Sequence, residues 1–107
     1  MIAFKEINLT KFKNSKDDII FLSSNIINEG ISGIIAARLK EYFNRPSIVL
    51  TQSGNYYKAS ARSTINFNIG KFIKTAIDKD IILHGGGHNL AAGFTIKKNK
   101  IPELKNY

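Results

Sequence analysis

The chain has no cysteine, which removes disulfides and thiolate metal ligands together. It also has no long apolar run. The longest strictly aliphatic or aromatic stretch, Ile19 to Leu22, is far short of the about 20 residues that span a bilayer. The N-terminal MIAFKEINLTKFKNSKDD lacks the apolar core of a secretory signal, so the expectation is a soluble, cytoplasmic protein with no membrane partner. Acidic residues are scarce too. They are Glu6, Asp17, Asp18, Glu29, Glu41, Asp78, Asp80 and Glu103, and no spacing among them and the histidines makes a cluster fit for one or two catalytic metals. Linkers rich in Gly, Ser or Pro, internal repeats and low-complexity tracts are missing as well.

What remains is a basic single domain. At 107 residues, 43% of them hydrophobic, the chain can bury roughly two thirds of its unfolded surface in one core. Sixteen Lys and Arg against eight Asp and Glu leave a net charge of +8, the footprint of a polyanion binder. Lysine outnumbers arginine thirteen to three, a bias that AT-rich coding alone would produce. The three arginines, Arg38, Arg45 and Arg62, are therefore the more informative cations.

Apolar periodicity orders the elements. Residues 18–25 read as a buried strand, and GISGIIAARLKEYFN from Gly30 as a helix of about 13 residues that Pro46 stops. SIVLT is a second buried strand, Gln52 to Asn55 a turn, and YYKASARS a polar strand. Ile69, Phe72, Ile73, Ala76 and Ile77 mark a helix with one buried stripe, capped by Asn66 or Asn68. Ile81 to Leu83 reads as a third apolar strand running into the glycines, and AAGFTIKK as a fourth. The alternation predicts an α/β domain with a mixed sheet of about four to five strands flanked by helices, over residues 18–107. Residues 1–17 carry no clear pattern.

Three places on this plan invite a phosphate. Arg38 falls between Ile34 and Ile35 on the helical wheel, inside the predicted apolar stripe, so its guanidinium either snorkels to the core's edge or faces an anion. The helix start Gly30-Ile-Ser-Gly33 is either an ordinary turn and cap or an anion-binding N-terminus. In Ser60-Ala-Arg-Ser63, strand alternation puts Ser60 and Arg62 on one face, as a small anion clamp or simply the wet side of a sheet. Arg45, beside Pro46, reads as solvated, and Tyr56 and Tyr57 are candidate stacking residues, one of which should face the core.

The sharpest feature is HGGGHNLAAGF. Gly85, Gly86 and Gly87 would let the main chain approach a ligand and point N–H groups at its oxygens, while His88 could donate to a phosphate or handle a proton. Ala91, Ala92 and Gly93 would keep the adjoining surface low. The competing reading is a tight, flexible loop. No Lys follows the glycines as a P-loop requires, and the HGGG loop of esterases needs a downstream G-x-S-x-G elbow that is missing.

GISGIIAARLKEYFNRPSIVL, then SARS, then GGGHNLAAGF, in this order and spacing, resembles the C-terminal DHH-associated domain of the RecJ single-strand-specific DNA exonucleases over roughly residues 18–100. The resemblance implies a two-lobed enzyme. An N-terminal DHH lobe, with no counterpart in these residues, would carry Mn or Mg, and the associated domain would close over the cleft holding single-stranded nucleic acid, DNA before RNA. On matching positions, Arg38, Ser60, Arg62 and Ser63 would contact phosphates, and Gly85 to His88 would line the cleft. The chain by itself would then be inactive. It departs from the family at Ile27-Asn28-Glu29-Gly30, where an aromatic and a histidine are usual. Two other functions fit the residues: a lobe of a small phosphoesterase for short oligonucleotides or cyclic dinucleotides, which share the GGGH loop, and a non-catalytic docking remnant.

Overall fold

A computed structural model describes residues 19–25 and 27–107, so the 1–17 segment lies outside the described residues. Five strands form one sheet in the order β1-β2-β3-β5-β4. They are β1 Ile20–Ser24, β2 Ser47–Ser53, β3 Tyr56–Arg62, β4 His84–Gly87 and β5 Ala91–Lys97. β1 and β2 run parallel and the other neighbours antiparallel. A parallel pair needs a crossover, supplied here by α1, Glu29–Phe43. β2 and β3 instead turn through Gly54, whose φ of +65° is left-handed and suits a residue without a Cβ. α2, Ile69–Asp78, precedes β4, and a short α3, Ile101–Lys105, follows β5. The predicted mixed α/β domain is thus present.

Both faces of the sheet are buried, but unequally. Ile35, Ala36 and Leu39 of α1 pack on Ile20 and Val49 on one face. Ile69, Ile73 and Ala76 of α2 pack on the other, with Ile48, Leu50, Ala61, Phe94 and Ile96. α1 lies over β2 and β3 and the core on its side includes no residue of β4 or β5, so the outer half of that face carries no helix among the described residues.

Three expectations need correction. Ile81 to Leu83 is a bend, not a strand; the strand is the glycine run itself. The chain needs room there that only glycine leaves. A Cβ on Gly85 would fall 2.5 Å from Phe94 Cβ and 2.6 Å from the Gly93 oxygen, and one on Gly87 would fall 2.5 Å from the Ala91 oxygen. Nor is the run a loose loop, since it pairs with β5 from His84↔Thr95 to Gly87↔Ala92. Finally, Arg38 is exposed and lies outside the buried stripe of Ser32, Ile35, Ala36 and Leu39. Ile34, 59% exposed, belongs to the surface, and counting it as core had rotated the stripe. No helix among the described residues is long and apolar enough to cross a membrane.

Candidate nucleic-acid interface

Strand alternation and register decide which residues share the uncovered half-face. Val49, on the α1 side, is opposite Ser60, which is opposite Gly93, which is opposite Gly86. One row over lie Arg62 and Ala91, and on the other side Lys58, Thr95 and His84. The floor is therefore nearly bare backbone, Gly93 and Gly86, flanked by Arg62 on one side and Lys58 with His84 on the other.

The three glycines divide by direction. Gly85 and Gly87 alternate toward the α2 side, where β5 leaves no space for a Cβ. Gly86 looks onto the open face, and a Cβ there would meet nothing within 4 Å. Packing explains the outer two and leaves the middle one unexplained. A backbone left bare with open space above it is what close approach by a ligand requires. Ala92 likewise points to the core, 9% exposed, which corrects its place in the low surface; Ala91 and Gly93 keep theirs.

Arg62 is half-buried against α1. Its Nη1 donates to the Ala61 oxygen at 2.8 Å, and its Nη2 lies over Gly33, where a Cβ would be 2.7 Å away. Gly33 is bare because the guanidinium occupies that space. Among the described residues no carboxylate pairs with Arg62; the ion pairs there are Lys58–Glu29 at 3.4 Å and Lys100–Glu103 at 3.5 Å. A partly desolvated guanidinium, fixed at one nitrogen and without a counter-ion, is prepared for an anion. An open cleft of about 620 Å³ continues from it, between Ala37 and Lys40 of α1, Asn44 just past its end, the 62–66 segment and Leu90–Ala91.

The two serines of the S-x-R-S segment have structural employment. Ser32 Oγ donates to the Glu29 oxygen at 2.9 Å and lies 2.8 Å from Ser60 Oγ. A hydroxyl has one hydrogen, so Ser60 is the donor to Ser32, tying β3 to α1. Ser63 is 2% exposed; its hydroxyl donates to the Phe67 oxygen at 2.6 Å and its N–H to the Leu90 oxygen at 2.9 Å. Two posts thus hold the strand on either side of the arginine they present.

His88 continues the β4–β5 ladder by donating its N–H to the Ala91 oxygen at 2.9 Å, two residues beyond Gly86 and so on the same face. Its Nδ1 accepts a long bond from the Leu90 N–H at 3.4 Å, which leaves Nε2 as the protonated nitrogen of the neutral ring. The carbonyls of His88 and Asn89 accept from the N–H groups of Gly70 and Ile69, and Asn68 Oδ1 accepts from Lys71, so the start of α2 is internally satisfied. Asn28 caps α1 in the same way by accepting from Gly30 at 2.7 Å, which settles Gly30-Ile-Ser-Gly33 as an ordinary helix start.

Arg38 does not join this group. It is exposed and lies roughly 140° around the helix from Gly33. Lys40, which lines the cleft beside Arg62, is the α1 cation that sequence reasoning passed over. Lys58, His84 and Thr95 were passed over too; strand alternation from Ser60 and Arg62 would have found Lys58, whereas His84 and Thr95 needed the β4 register. Among the described residues no group of three His, Cys, Asp or Glu comes together, so the donor set does not fit a divalent metal.

These features define a mixed α/β domain with a groove on one side, lined by Arg62, Lys58 and bare main chain at Gly86 and Gly93. The chain belongs to the DHHA1 domain family, whose model matches residues 16–107. It is 40% identical over 81 residues to the single-stranded-DNA-specific exonuclease RecJ of Bacillus subtilis, covering 74% of this chain and 10% of that one. Its fold superposes on a crystal structure of exonuclease RecJ bound to manganese with a TM-score of 0.79 and 26% identity, covering 96% of this chain and 25% of that one. RecJ of Thermus thermophilus in complex with Mn2+ gives a TM-score of 0.76 and 28% identity, over 96% of this chain and 15% of that one. The chain therefore spans from about a tenth to a quarter of the length of these relatives.

Proposed function

We propose that this domain grips the sugar–phosphate backbone of single-stranded nucleic acid, DNA in preference to RNA, as an accessory domain of a RecJ-like exonuclease in the cytoplasm. In this reading a DHH lobe supplies the Mn or Mg and the hydrolysis. This domain supplies position: Arg62 pairs with one phosphate, and the bare main chain at Gly86 and Gly93 lets a neighbouring nucleotide settle against the sheet. His88 Nε2–H can donate to a phosphate oxygen at the groove's end, beside the scissile bond. Ser60 and Ser63 act by holding Arg62, and Arg38 adds attraction from outside the groove. The chain alone does not cut.

The observation that carries the reading is the half-buried Arg62, without a carboxylate partner among the described residues, beside a backbone floor whose open glycine, Gly86, has no packing reason to be glycine. Binding of this kind should depend on salt and ignore base sequence. The test is fluorescence anisotropy with labelled single-stranded oligonucleotides at low and moderate salt, comparing the native chain with Arg62→Ala and Gly86→Val. Both variants should weaken binding by more than the about 1 kcal/mol of one exposed charge. Equal affinity for all three proteins would reduce the binding to bulk charge.

A further inference from the structure

The uncovered face does not end at Lys58. Continuing the register along β3 by one more row brings Tyr56 opposite Lys97 of β5, on the same side as Arg62, Ser60 and Lys58. Tyr56 is 42% exposed, and among the described residues its ring makes no aromatic or cation contact. Tyr57, the neighbour that alternates inward, packs against the core instead. The face thus starts at a guanidinium and finishes at a free aromatic ring with a lysine beside it.

We infer that this face is a graded track for about four nucleotides, in which Tyr56 stacks on a base at the end remote from Arg62, Lys58 follows the intervening phosphates and Lys97 the phosphate beside Tyr56. Strand geometry sets the scale. Residues that share a face recur roughly every 7 Å, on the order of the repeat of an extended sugar–phosphate backbone. From Arg62 to Tyr56 is three such steps, or about 20 Å. The side chains along the way suit the task in order: a fixed guanidinium, a glycine row that lets the backbone lie flat, a lysine and an aromatic. Lys58 is held by Glu29 at 3.4 Å, both side chains being about half exposed, so a phosphate can take Glu29's place at little cost. This inference rests on the strand-binding reading and adds to it a footprint, a direction and a residue that meets a base.

The test uses the full 107-residue chain and labelled oligothymidylates of two, four and eight nucleotides. Tyr56→Ala should leave dinucleotide affinity within about twofold of native, yet remove about fivefold or more of the gain between two and four nucleotides, the scale of one base–aromatic stack. Tyr56→Phe should restore that gain, because the ring and not the hydroxyl carries it. Tyr56→Trp introduces the chain's first tryptophan, whose fluorescence the four-nucleotide strand should quench and the dinucleotide should not. If Tyr56→Ala matches native at every length and the indole emission of Tyr56→Trp is indifferent to the strand, the track is overturned. Arg62→Ala separates the two ideas: if it weakens every length while Tyr56→Ala changes nothing, the groove survives and the track does not. If Arg62→Ala changes nothing, both fall.

Discussion

A methyl group added at Gly33 would act on two properties in opposite directions. Gly33 lies inside α1, where glycine costs a helix about 0.8–1 kcal/mol relative to alanine. Its Cβ would also meet Arg62 Nη2 at 2.7 Å, and the flexible end of the arginine, not the backbone, would give way. Gly33→Ala should therefore equal or exceed the native protein in urea stability while binding oligonucleotide several-fold more weakly. Loss of stability, or unchanged affinity, would contradict the account of why residue 33 is bare. Arg38→Ala, measured alongside, should cost less affinity than Arg62→Ala, because Arg38 stands outside the groove. Strand alternation alone put Ser60 and Arg62 on one face, as the register has them, but left an anion clamp and the wet side of a sheet equally open. Arg38 was misread for a physical reason: Ile34 is apolar and exposed, and a helical wheel cannot tell an apolar surface residue from a core one.

At the scale of elements, β4 is a strand made almost wholly of glycine, and intrinsic preference argues against it. That is why the sequence pointed to Ile81–Leu83 as the strand and to the glycines as a turn. The pairing partner overrides the preference, since β5 approaches too closely for side chains at Gly85 and Gly87. Consecutive glycines consequently tolerate different changes. Gly85→Ala and Gly87→Ala should each destabilise by about 1–3 kcal/mol, as overpacking does. Gly86→Ala should melt within a few degrees of native and lose affinity instead. Thermal melts of the three variants decide this, and a uniform drop would mean that the run serves packing alone. The helices were more legible. Of the two candidate caps, Asn66 and Asn68, it is Asn68 that caps α2, and Asn68→Ala should cost about 1 kcal/mol in urea unfolding. β1, β2, β3 and β5 announced themselves by apolar runs or alternation, but their order, with β5 between β3 and β4, depends on long-range pairing that no local window contains.

For the molecule as a whole, charge and shape make separable contributions. A net +8 attracts any polyanion, whereas the groove as proposed would engage only a few phosphates. Each phosphate neutralised on a single strand contributes about −0.7 to the slope of log K against log salt. Arg62→Ala should make that slope shallower by about 0.7, while Arg45→Ala, in the turn before β2, should leave it unchanged. Equal changes in both variants would show that the strand reads overall charge and not this face.

The floor of the groove has a kinetic meaning as well. Gly86 and Gly93 offer backbone with no side chain that could interlock with a base, and the rows of the sheet repeat at an even pitch. Under the proposed strand-binding reading, a nucleotide crossing the Gly86–Gly93 row meets no side chain to interlock with, while the rows on either side, Arg62 with Ala91 and Lys58 with Thr95 and His84, grip the strand. An enzyme that removes nucleotides one after another needs a surface that holds its polymer and still lets it creep forward. On that reading the single bare row, Gly86 and Gly93, is a bearing set between two grips.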